Sequence, residues 1–159
     1  MSRFLSLDDV VRLIGKDELL QVAGQGSHNA PDGRFLDEAQ IGGHIAFTDE
    51  LIGGYLNLRY PHVDGIEIGD MPEVIKGFGS DIVRYRLRAR SGDRNTVTEE
   101  VRLRYEDAMK WLKQVGEGKV HIPFGDAALA ETSEVALTGE VRGSNPPSRS
   151  EPLLRDWRS

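Results

Sequence analysis

Three long segments of the chain repeat apolar residues every three or four positions, and this spacing constrains the fold more than any other feature of the sequence. The segments span residues 37–58, 71–90 and 98–116. An α-helix turns once in about 3.6 residues, so this spacing places the apolar residues of each segment on one face. The sequence therefore predicts three long amphipathic helices that pack against each other.

Shorter elements flank these helices. Ser6 precedes "LDDVVRLIG" as a helix N-cap, and "KDELLQVAG" follows it, so we expect a short N-terminal helical pair. Residues 24–35 are rich in glycine and predict a loop. After the third long helix, "KVHIPF" alternates apolar and other residues at Val120, Ile122 and Phe124, which predicts one short strand. The predicted fold class is all-α, a small helical bundle with a short strand and an extended C-terminal arm.

The last part of the sequence differs in composition from the rest. Residues 125–159 contain the linker-like stretch "GSNPPSRSEP" and end in "PLLRDWRS". We therefore predict a helical domain over residues 1–124 and an extended arm over residues 125–159. Leu153, Leu154 and Trp157 cluster at the end of a polar tail, so we expect them to fill an apolar pocket on a partner.

Composition excludes several classes of protein. The chain has 159 residues, a net charge of −6 and an isoelectric point near 5.2, which disfavours a protein that coats nucleic acid. It contains no cysteine, and its four histidines share no metal-ligand spacing, so we expect no disulfide and no metal site. No catalytic or nucleotide-binding motif is present, and no segment is apolar enough to span a membrane or to act as a signal peptide. We expect neither catalysis nor a cofactor.

Arginines are concentrated between positions 84 and 104, which raises the alternative of a DNA-binding protein. A helical wheel centred on Ile82 places Arg84 and Arg88 opposite the predicted core, and Arg86 and Arg90 beside it. Arginines divided between two faces do not form one basic stripe. Two interpretations remain: a charged interface that involves these four arginines, or a small helical DNA-binding regulatory protein that uses residues 84–104.

Paired glycines occur inside the first long helix, where each costs about 0.5–1 kcal/mol relative to alanine. The pairs are Gly42 with Gly43 and Gly53 with Gly54, so equivalent members are separated by about three turns. One interpretation is a weakened or kinked helix. The other is close approach by a further helix, from the same fold or from a second subunit, and it places Gly43 and Gly54 in an interface.

Three stretches in register resemble the Mu-like phage and prophage head–tail connector (adaptor) proteins. They are "DELIGGYLNLRYP" at 49–61, "MPEVIKGFGSDIVRYRLRAR" at 71–90 and "TEEVRLRYEDAMKWLKQVGEGKV" at 98–120. The resemblance extends over residues 3–124. It implies an all-helical subunit without catalytic residues that forms a ring, usually dodecameric, beneath the portal of the phage head.

The same resemblance implies the partners and the location. Besides copies of itself, the subunit would contact the portal protein and a stopper or tail-completion protein. DNA would pass through the ring only as cargo. The protein would be made in the bacterial host cytoplasm and would reside in the neck of the virion. We further expect residues 120–124 to pair as a strand with a partner or an adjacent subunit.

Overall fold

A computed structural model describes residues 2–27, 33–61, 63–90 and 97–124 of the chain. Its helices are α1 (Leu7–Ile14), α2 (Lys16–Ala23), α3 (Glu38–Leu56), α4 (Glu73–Arg90) and α5 (Glu99–Gly116). Two 3₁₀ turns, Val63–Gly65 and Ile68–Asp70, connect α3 to α4. The mostly helical fold, the three long helices and the N-terminal pair are confirmed.

Side-chain caps set the beginnings of several helices. Ser6 and Asp9 form a reciprocal capping box at α1, in which the Ser6 hydroxyl accepts from the Asp9 amide and Asp9 accepts from the Ser6 amide. Asp37 accepts from the backbone of Gln40 at α3, and Thr98 does the same at α5 for Val101. Each cap satisfies an amide that has no partner within its helix.

A short hairpin replaces part of the predicted loop. Strands β1 (Gly24–Gln25) and β2 (Phe35–Leu36) pair antiparallel, with Gly24 opposite Leu36. Gly24 is required there, because a Cβ at this position would lie 2.1 Å from the carbonyl oxygen of Leu20. Strands of two residues are too short to show an alternating pattern, so sequence periodicity could not predict them.

The helices enclose two adjoining hydrophobic clusters. One lies between α3, α4 and α5 and includes Ile52, Ile82 and Leu112, while the other lies between α1, α2, α3 and α4 and includes Leu19 and Val83. Helix α4 contributes to both clusters. At Gly79 of α4, a Cβ would come within 3.2 Å of Ile52 Cδ1, so this glycine permits a close approach of α3 and α4.

The N-terminal segment crosses α3 and is anchored by a buried carboxylate. Asp49 accepts hydrogen bonds from the amides of Arg3 (2.7 Å) and Phe4 (3.2 Å). The ring of Phe4 is fully buried and lies 3.4 Å from where a Cβ of Gly53 would be. Burial raises the pKa of Asp49, and the backbone hydrogen bonds counteract this shift.

The strand predicted over residues 120–124 does not form within the described chain, and its pairing with a partner or an adjacent subunit stays a prediction. Ile122 and Phe124 retain only 1% and 3% of their exposure, because they complete the cluster between α3, α4 and α5. The hydroxyl of Tyr60 accepts from the Ile122 amide at 2.9 Å, and its ring meets the Phe124 ring edge-on at 4.9 Å. The alternating apolar residues therefore reflect packing on the chain's own bundle.

Candidate interaction surfaces

A carboxylate on α2 binds two of the arginines from the basic region. Glu18 Oε1 and Oε2 each accept a hydrogen bond of 2.6 Å from Arg84, and Arg88 Nε donates to Oε1 at 2.8 Å. Burial raises the pKa of Glu18, but the hydrogen bonds from both guanidinium groups outweigh it and the pKa is lowered. The helical wheel placed Arg84 and Arg88 opposite the predicted core, and in the structure α2 covers this face of α4. A role of these arginines in an interface with another molecule stays a prediction. Glu18 was missed because no local spacing links residues so far apart in sequence.

The arginines of α5 are also paired with acids. Arg102 binds Glu99 and Glu106, and Arg104 lies 2.9 Å from Glu100 and 3.9 Å from Asp81. The pair between Glu100 and Arg104 has the acid four residues before the base, the favourable order in a helix. Much of the positive charge between positions 84 and 104 is therefore balanced inside the subunit, which weakens the DNA-binding alternative.

Arg86 and Phe47 form a cation–π pair between α4 and α3. The guanidinium carbon of Arg86 lies 3.6 Å from the centre of the Phe47 ring, which remains 42% exposed. Within the described residues, the buried Nε of Arg86 has no hydrogen-bond acceptor. Burial lowers the pKa of nearby His44, and the charges of Arg86 and Arg90 lower it further. These side chains form a positively charged edge beside α3.

The outward face of α3 carries an apolar stripe. Its members recur at helical spacing away from the buried Ile45 and Ile52, and we call it the outer stripe: Phe47, Leu51, Gly54 and Leu58. Phe47, Gly54 and Leu58 are exposed, whereas Leu51 is partly buried and packs against the cluster between α3, α4 and α5. Leu58, in the turn directly after α3, is 76% exposed. In the described part of the chain, no element covers Phe47 or Leu58 fully.

The paired glycines behave differently from each other. Among the described residues, a Cβ at Gly42, Gly43 or Gly54 would meet nothing within 4 Å, so no other helix among α1–α5 approaches these three positions closely. At Gly53 the close neighbour is the ring of Phe4. Contact of Gly43 and Gly54 with a second subunit stays a prediction.

Two aromatic stacks join α4 to α5. Phe78 stacks on Trp111 with centroids 4.7 Å apart, and Tyr85 stacks on Tyr105 at 4.1 Å. All four rings are partly buried. Between the positions of these stacks on α4 lies Asp81, whose pKa is raised by burial and partly restored by the positive charges of Arg104 and Arg84. This seam stabilises the helix pair and does not bring together groups suited to catalysis.

The remaining predicted interface residues fall into two groups. Ile122 and Phe124 are buried in the cluster between α3, α4 and α5, and Val120 is partly buried against it. The side chains of Ile122 and Phe124 therefore pack on their own chain. Leu153, Leu154 and Trp157 lie outside the described residues. The docking of this C-terminal cluster stays a prediction.

Across residues 2–27, 33–61, 63–90 and 97–124, no group of three or more His, Cys, Asp or Glu side chains is arranged to hold a metal ion. In those same ranges, no helix combines the length and apolar character needed to cross a bilayer.

Comparison with known proteins gives two related matches. The family described as "Bacteriophage Mu, Gp36" matches residues 4–139. This match continues past Phe124 into the segment predicted to form an extended arm. "Mu-like prophage FluMu protein gp36" of Haemophilus influenzae is 27% identical over 114 residues, which cover 72% of this chain and 74% of that protein.

Proposed function

Because the chain belongs to the bacteriophage Mu Gp36 family, we propose that it is the head–tail connector subunit of a Mu-like phage. Membership in this family indicates a phage protein with a structural or morphogenesis role. In the proposed role, copies of the helical domain form a ring below the portal protein. The ring receives a stopper or tail-completion protein on its other side and lets DNA pass through its centre.

The family match over residues 4–139 carries the proposal, and the structure supports it. The described part of the chain is a helical unit with two surfaces suited to protein contacts: the outer stripe, exposed at Phe47 and Leu58, and the pair of Arg86 with Phe47. Aromatic and arginine side chains are enriched among the residues that dominate protein interfaces. Such a subunit would act by shape and contact, without a catalytic step.

The internal pairing of arginines argues for the connector over the DNA-binding regulator. A regulator would need free cations to release counterions from phosphates, whereas Arg84 and Arg88 are held by Glu18. A cheap measurement separates the two functions. The connector is expected to bind duplex DNA weakly at moderate salt, and tight binding with a steep salt dependence would favour the regulator.

The decisive experiment uses a Mu-like prophage that encodes the chain. When its gene is deleted and the prophage is induced, we expect heads filled with DNA and separate tails by electron microscopy. Complementation with the unsubstituted gene should restore joined particles. Mass spectrometry of these particles should find roughly a dozen copies of the protein per particle, as expected for one ring in the neck. Joined, infectious particles without the protein would overturn the proposal.

The glycine hypothesis can be tested in the same system. Gly43→Leu places its side chain in open space, so the subunit should fold normally. If Gly43 lies against a neighbouring subunit, complementation by this variant should fail while its thermal unfolding is unchanged. Full complementation would remove Gly43 from the interface.

A further inference from the structure

We propose that residues 127–141 of the same chain dock along the outer stripe of α3 in the free subunit. The stripe provides exposed apolar surface at Phe47 and Leu58, with the partly buried Leu51 between them. The segment provides apolar side chains at Leu129, Val135, Leu137 and Val141. This inference concerns the subunit before assembly and does not depend on the phage role.

The position of Phe124 favours this segment over a separate partner. Phe124 is the last described residue, and its ring packs 4.9 Å from that of Tyr60, two residues after Leu58. Residues that follow Phe124 therefore begin beside one end of the stripe. A tethered segment of this length has an effective concentration in the millimolar range, which a separate protein would need to exceed.

The lengths also agree. From Phe47 to the end of α3 at Leu56 the helix rises about 14 Å, at about 1.5 Å per residue, and the turn that holds Leu58 extends the stripe slightly further. An extended chain covers this distance in about five residues, at about 3.3 Å each. If Leu129 lies at Leu58, the segment around Val135 reaches Phe47.

Charge complementarity provides a second argument. Residues 125–141 contain Asp126, Glu131, Glu134 and Glu140 and no lysine or arginine. The stripe is flanked at Phe47 by Arg86, whose buried Nε lacks an acceptor within the described residues, and Arg90 lies close enough to influence His44. An acidic segment at this edge would offset both positive charges.

The family match is consistent with this boundary. It runs through residue 139 and leaves out the remaining residues, which include the linker-like stretch and Trp157. On this account, the independent part of the arm begins after the segment that lies on α3. A neighbouring subunit that used the same stripe would have to displace the segment first.

Engineered cysteine pairs test the docking, since the natural chain has no cysteine. In the full chain, Leu58→Cys with Leu129→Cys is compared with Asn57→Cys with Leu129→Cys. Asn57 is exposed and adjacent to Leu58, but it points to another side of α3. Disulfide formation under mild oxidation is followed by mass spectrometry, with circular dichroism to check that both variants fold.

We expect the pair at position 58 to form an intramolecular disulfide at least about tenfold faster than the pair at position 57. Adding Glu131→Lys and Glu134→Lys to the first pair should slow this reaction at low salt. Equal rates at positions 57 and 58, or a faster reaction at 57, would overturn the proposal. Predominantly intermolecular disulfides would also overturn it, because a second copy would then supply the segment.

Discussion

Replacing Glu18 with glutamine tests the link between α2 and the basic helix α4. The carboxylate of Glu18 accepts hydrogen bonds of 2.6–2.8 Å from Arg84 and Arg88. Glu18→Gln keeps the size of the side chain and one acceptor oxygen but removes the negative charge. The two guanidinium groups would then lie close together without a counter-charge.

The expected magnitude follows from the partial exposure of this cluster. A hydrogen bond to a charged group contributes about 1.5–3 kcal/mol when shielded, and an exposed ion pair contributes less than about 1 kcal/mol. The side chains of Glu18, Arg84 and Arg88 are 17%, 22% and 16% exposed, so the value lies between these limits. We expect Glu18→Gln to reduce the free energy of unfolding by about 2 kcal/mol at pH 7, equivalent to roughly 8 °C in melting temperature.

The pH dependence of this difference has a defined sign. The pKa of Glu18 is lower in the folded protein than its ordinary value of 4.5, so the folded state binds fewer protons at this group than the unfolded state. The group therefore stabilises the fold above about pH 4.5, and its contribution is lost as the pH falls through the folded-state pKa. The stability deficit of Glu18→Gln should shrink toward zero between pH 5 and the acid limit of folding, on the order of pH 3.

Urea unfolding monitored by circular dichroism at several pH values measures both effects. Glu50→Gln is the matched control, because Glu50 is exposed on α3, and its stability should change by less than about 0.5 kcal/mol. A Glu18→Gln variant as stable as the unsubstituted protein at pH 7 would refute the reasoning. So would a deficit that stays constant as the pH is lowered.

Three further experiments probe the rest of the fold. Ile122→Ala should reduce the free energy of unfolding by about 2–4 kcal/mol, because it leaves a cavity at a buried position. Pro123→Ala, at an exposed position, should change the free energy of unfolding little, and equal effects of the two variants in urea unfolding would contradict the packing of this segment. The stability of Asp81→Asn relative to the unsubstituted protein should increase from pH 3 to pH 7. Burial raises the folded-state pKa of Asp81, so the unsubstituted protein loses stability as this carboxyl group ionises with rising pH; a difference that stays constant with pH would argue against this shift. Gly54→Ala should increase the free energy of unfolding by about 0.5–1 kcal/mol in thermal unfolding, because its Cβ meets open space among the described residues. Gly79→Ala should gain less, because its Cβ would lie 3.2 Å from Ile52 Cδ1, and a larger gain at Gly79 would be inconsistent with this close approach.

Local sequence signals determined the helices. Ser6, Asp37 and Thr98 have side chains that cap a helix start, and the apolar spacing after each one defines a buried face. These signals depend on residues within a few positions of each other. For this reason the helical architecture, including the N-terminal pair, could be predicted without tertiary information.

The partners of individual side chains depended on contacts between distant segments. The pairing of Glu18 with Arg84 and the burial of Ile122 beside Tyr60 each join residues more than sixty positions apart. Alternation in "KVHIPF" describes one side of a segment equally well for a strand and for an extended stretch packed on helices. The tertiary structure decided between them because Tyr60 offered its hydroxyl to the backbone and the bundle offered apolar surface to the side chains.

The same division applies to the candidate surfaces. The sequence identified the paired glycines and the concentration of arginines, because both are visible as composition. Only the folded chain showed that α2 covers Arg84 and Arg88 while Phe47 and Leu58 remain exposed. A helix has several faces, and the way in which other helices pack against it decides which face stays available to a partner. No local sequence pattern specifies this packing.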